Sequence, residues 1–116
     1  MKKTAPDGAR ELIVSAMEIL NGLNQVLFQM QAKQATNWKA QVWLPHTKLQ
    51  DFKPMPNALK KDTDKLQAQI NKIGEQGPQN QDATTISQLQ LALVLAQQLM
   101  NDVIWSLDNP HFINAA

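Results

Sequence analysis

Leu12, Ala16, Ile19, Leu23, Val26 and Met30 recur at alternating steps of four and three residues. Only a helix brings residues so spaced onto one stripe, and such a stripe is stable in water only when other helices cover it. Ile13, Met17, Leu20 and Leu27 flank it, so the spacing predicts a helix over about residues 5–35. Thr4 with Asp7 three residues on has the form of a capping box, and Pro6 is tolerated in a first turn. Gly22 lies within the stripe's span, where it weakens a helix slightly.

The pattern returns over about residues 83–108 with Ile86, Leu89, Leu93, Ala96, Met100, Val103 and Leu107. Leu91, Val94 and Trp105 fall off that face. The run Leu91-Ala92-Leu93-Val94-Leu95-Ala96 is apolar all round, as expected of a helix buried on more than one side. Asp82 or Thr85 suits its N-cap, and Asn109-Pro110 stops it. Between the two lies a narrower stripe, Leu59, Thr63, Leu66, Ile70 and Ile73, for a helix over about 57–73 on the outside of the bundle. Gly74 suits its left-handed C-terminal position, and residues 75–81 read as a polar loop. The expectation is one all-α domain spanning 1–116, an up-down-up bundle of three long helices (about 5–35, 57–73 and 83–108).

Residues 36–56 read as a short helix or an irregular, aromatic and Pro-rich connection, because Pro45, Pro54 and Pro56 stop any long helix. Asn37 can cap a short helix over 38–44, with Trp38 and Val42 on one face. In an up-down-up bundle the first and last helices end at the same pole. That topology would bring Trp38 and Trp43 near Trp105 and Phe112.

Charge narrows the function classes. Residues 1–32 are balanced, 33–72 carry eight Lys against three Asp, and 73–116 carry four acids and no Lys or Arg. The whole chain is +1, so any attraction to nucleic acid must come from the middle segment alone. Cysteine is absent, which excludes disulfides and thiolate chemistry and fits a reducing compartment. The charged start lacks the apolar stretch of a leader, so a cytoplasmic protein is expected, although a trimmed exported chain would look the same. Residues 83–101 carry no charge, yet eight of these 19 are Thr, Ser, Gln or Asn, too polar for a membrane span.

No catalytic, cofactor or metal site is expected. A bundle metal site needs Glu or His ligands three or four apart on one inward face, and Asp108 with His111 is interrupted by Pro110. Ser15, Ser87 and Ser106 lie in helical repeats, where no strained turn presents a hydroxyl to a base. Glu11 with Glu18, and Asp62 and Asp64 beside Lys60, Lys61 and Lys65, read as solvated charge patterns.

Two binding classes are left. The first is a non-catalytic helical protein-protein interaction module of the adaptor, inhibitor or secretion-chaperone type, with a homodimer formed through the apolar last helix as one version. Its expected partner-binding residues are Trp38, Trp43, Phe52, Val94 and Trp105. It rests on surplus apolar surface: the last helix is apolar on nearly all sides at 91–96, and Val14 and Phe28 lie off the first stripe. Either the 36–56 segment folds back over that surplus, or a second copy or another protein covers it. The alternative is a small nucleic-acid-binding protein using the Lys-rich, Trp-containing 33–72 segment, with Lys53, Lys60, Lys61 and Lys65 as its basic patch.

Overall fold

The first stripe builds α1 (Ala5–Gln31) in the computed structural model, which describes the backbone of residues 5–51, 57–78 and 82–108 and the side chains of 11–50, 59–78 and 82–105. All six stripe residues are buried. Covering a Leu, Ile or Val side chain is worth about 1.5–3 kcal/mol, so packing rather than intrinsic propensity holds the helix. The helix ends at Gln31 rather than near residue 35, because the chain turns into a Schellman motif. The Gln34 N–H donates to the Gln29 carbonyl at 2.7 Å and the Lys33 N–H to the Met30 carbonyl at 3.1 Å, with Lys33 left-handed at φ 57°. That conformation costs an L-residue about 1–2 kcal/mol. Lys33→Gly should therefore raise stability by about 1 kcal/mol, read as a higher urea midpoint at an unchanged slope.

Residues 38–51 are helical throughout. A wide π turn (Lys39–Trp43) leads into α2 (Leu44–Thr47) and then a 3₁₀ turn (Lys48–Asp51). Pro45 falls in the first turn of α2, where its missing N–H breaks no helical bond. Asn37 caps the start in both directions: its Oδ1 accepts the Ala40 N–H at 3.3 Å, and its own N–H donates to Gln41 Oε1 at 3.0 Å. Trp38 and Val42 share the buried face, as their spacing predicts.

This segment runs back along α1. The Gln41 carbonyl sits where a Cβ on Gly22 would be, and farther down Lys48 reaches Glu18 at 3.9 Å. It is also antiparallel to α3 (Asn57–Ile73), since the Trp38 indole bonds Gly74 while Gln67 bonds the His46 carbonyl. α4 (Ala83–Asp108) then descends against α3, with Gln69 Nε2 donating to the Gln88 carbonyl. The direction is thus up, down, up, down. α1 and α3 run parallel, α4 packs against both, and residues 38–51 take a helix's place instead of serving as a connection. The up-down-up order of three helices does not hold, because one proline at the start of a helical turn does not interrupt it.

The same correction separates the tryptophans. Trp38 lies at the Gly74 end of α3, whereas Trp105 is 17 residues beyond Gln88, roughly 25 Å down the α4 axis at a rise of 1.5 Å per residue. Phe112 lies outside the described residues.

In α3 the predicted Leu59, Thr63, Leu66 and Ile70 are all buried, so α3 is a full member of the core. In α4 the buried stripe is Leu89, Ala92, Ala96, Leu99 and Val103, while Leu93 and Met100 are only half-buried. Asp82 is the α4 cap: its Oδ1 accepts the Thr85 N–H at 2.8 Å, and this bond to the ionised form holds its pKa below the ordinary value. No strand occurs among the described residues, and no helix among them is long and apolar enough to cross a membrane.

Candidate functional site

Trp38 is 3% exposed and works inside the fold. Its indole N–H donates to the Gly74 carbonyl at 2.8 Å, fastening the turn after α3. Gly74 and Gly77 are left-handed there, at φ 96° and 82°, and a Cβ on Gly77 would collide with the Trp38 ring. Lys39 pairs with Glu75 across the same turn at 3.0 Å, the one ion pair among the described residues that joins the basic middle of the sequence to its acidic last third.

Trp43 is half-buried and lies edge-on to His46, with ring centroids 4.7 Å apart. His46 is fully buried with neither ring nitrogen hydrogen-bonded, and burial pushes its pKa below the ordinary 6.5. Of the other sequence-derived contact residues, Val94 is 46% exposed and Trp105 51% exposed, both on α4. Phe52 and Lys53 lie outside the described residues. The structure therefore splits the proposed contact set between two regions: Trp38 and Trp43 in the returning segment, Val94 and Trp105 on the outer side of α4.

The outer sides of α1 and α4 carry most of the large exposed apolar residues. On α1 they are Val14, Met17 and Phe28, the last 65% exposed; on α4 they are Leu91, Val94, Ile104 and Trp105. Val14, Met17 and Phe28 are spaced by three and then 11 residues, and so are Leu91, Val94 and Trp105. Three residues turn a helix through 300° and 11 through almost a whole number of turns, so each trio shares one side of its helix. The returning segment docks on the Gly22 and Glu18 flank of α1 and leaves these trios exposed. Within this region α4 is uncharged from residue 83 to 101, and between residues 12 and 31 of α1 the only charge is Glu18, engaged by Lys48. Met17 and Ile104 were not among the residues singled out for contact; each is apolar and lies off the buried stripe, which is the signal that marks them.

The opposite side, formed by α3 and the returning segment, is lysine-rich. Lys60, Lys61 and Lys65 are exposed on α3, with Lys60 paired to Asp64 at 3.0 Å. Exposed pairs of this kind contribute at most about 1 kcal/mol. No group of three or more His, Cys, Asp or Glu that could hold a metal occurs among the described residues. Ser15 is buried and Ser87 exposed. Compared with known proteins, the chain matches no family model, no curated protein and no solved structure.

Proposed function

We propose that this chain is a non-catalytic helical interaction module that binds protein through the outer side of the α1–α4 pair, and that its first partner is a second copy of itself. The observation that carries this reading is the pair of matched apolar trios, Val14, Met17, Phe28 and Leu91, Val94, Trp105, on two antiparallel helices. Two antiparallel helices with the same outward pattern are related by an approximate two-fold axis, a surface well matched to its own copy. A two-fold interface also sets like residues against like, and the uncharged stretch of α4 brings no repulsion when that happens. Adaptors, inhibitors and secretion chaperones are the classes of protein that work through such a face.

Charge placed on the face tests it. Val94→Lys and Phe28→Lys, singly, should each weaken self-association by tenfold or more, whereas neutralising Lys60, Lys61 and Lys65 together should leave it unchanged and insensitive to salt. The nucleic-acid reading makes the reverse claim. It requires binding of a single-stranded oligonucleotide that falls steeply with salt and disappears with the triple Lys variant. Burial of Trp38 takes one of the stacking aromatics from that reading, which supports protein binding over it.

A further inference from the structure

His46 stands on α2, in the part of the returning segment that lies against both α1 and α3. Its side chain is 1% exposed, and neither ring nitrogen has a hydrogen-bond partner. A neutral imidazole carries one donor and one acceptor, whereas a protonated one carries two donors and a full charge. Burying an unpartnered charge costs far more than burying an unpartnered neutral ring, so the docked segment accepts His46 only while it is neutral. We propose that His46 is an acid-release latch: on taking up a proton it drives residues 42–51 off α1 and α3, while α1 and α3 stay packed on α4.

The groups around the ring offer the proton no counter-charge. From α1 comes Glu18, already engaged at 3.9 Å by Lys48 of the 3₁₀ turn. On α3, Lys60 and Asp64 share a side with Gln67, whose Nε2 donates to the His46 carbonyl at 3.1 Å, and they pair with each other at 3.0 Å. Lys39 of the π turn is held by Glu75 at the far end of the segment. None of these side chains hydrogen-bonds the imidazole, and Trp43, edge-on to it, is uncharged. Little else fastens this stretch: the Lys48–Glu18 pair is exposed, and α2 is a single turn, too short to stand alone once undocked. α4 packs directly on α1 and on α3, and those contacts do not pass through residues 42–51.

Burial lowers the pKa of His46 below the ordinary 6.5, the value that release restores. The released state therefore binds the proton first, and docking loses stability as pH falls below 6.5. For one proton the opening equilibrium shifts by up to about tenfold per pH unit. Asp62, raised to about 6 with burial the foremost cause, has the opposite sign and favours the folded state as pH falls. It shares a side of α3 with Gln69, which bonds Gln88 of α4, so its titration bears on the α3–α4 contact rather than on the returning segment.

Amide exchange from about pH 7.5 to 5, expressed as protection factors to remove the intrinsic pH dependence, reads the latch together with an imidazole NMR titration. Protection at residues 42–48, including the Leu44 N–H that donates to the Lys39 carbonyl, should fall by up to about tenfold per pH unit below 6.5. Protection at 89–103 in α4 should hold over the same range. The His46 ring should still be neutral in the docked state below 6.5. His46→Phe keeps an aromatic ring beside Trp43 and cannot titrate, so protection at 42–48 should become independent of pH, any cost of fit appearing equally at every pH. A native His46 that titrates at or above 6.5 with the segment still protected would overturn the proposal. So would equal loss of protection in α4, which is global unfolding, or a pH dependence that survives in His46→Phe.

Discussion

Gly22→Ala is expected to destabilise the protein by about 2–3 kcal/mol, although alanine in a helix interior ordinarily gains about 1 kcal/mol over glycine. The sign reverses because the added methyl would collide with the Gln41 carbonyl oxygen and carbon, and would press on Val42 at 3.2 Å. The Gln41 atoms are backbone of the returning segment, which cannot rotate aside as a side chain would. α1 and residues 38–51 would have to separate, uncovering Val42 and the inward side of α1. Urea denaturation reads the effect as a lowered midpoint. A gain of about 1 kcal/mol would mean that residues 38–51 do not dock on Gly22 at all.

Trp38→Ala carries the other large cost, about 3–5 kcal/mol, the usual range for deleting a buried aromatic. The side chain fills the space between the start of the returning segment and the turn at 74–77, and it supplies the donor to the Gly74 carbonyl. Trp38→Phe keeps much of the volume and removes that donor, so it should cost about 0.5–1.5 kcal/mol, the net worth of one hydrogen bond, because the Gly74 carbonyl still accepts the Gly77 N–H at 3.1 Å. The ordering of the two variants is itself diagnostic. A Trp38 that served only as an exposed contact would give two near-neutral substitutions in the isolated protein and lose binding alone.

The periodic parts of the fold were legible in the amino-acid order. The α1 stripe, the α3 stripe, Gly74 as the left-handed stop and Asn37 as a cap all stand where spacing and turn chemistry put them. Helix register failed only in α4, where an all-round apolar run leaves the stripe undetermined. There the close approach of neighbours selects Ala92 and Leu99 over Leu93 and Met100. The larger miss was the path of residues 38–51. Three prolines suggested a break, but Pro45 occupies a first-turn position, and a glycine counted as a weakness of α1 is the dock that lets the segment lie down. That one misjudged element changed the topology and with it the expected meeting of Trp38, Trp43 and Trp105. The exposed apolar surplus of α1 and α4 was visible beforehand. Whether a returning segment would cover it depended on which flank of α1 that segment chose, and local patterns do not encode this.

Solution mass by light scattering over a wide concentration range tests the interaction face most directly. A self-pairing α1–α4 surface predicts a mass rising from 13.0 kDa toward twice that value as concentration increases, with the rise abolished by Val94→Lys and insensitive to salt. A strict 13.0 kDa monomer at every concentration would contradict it.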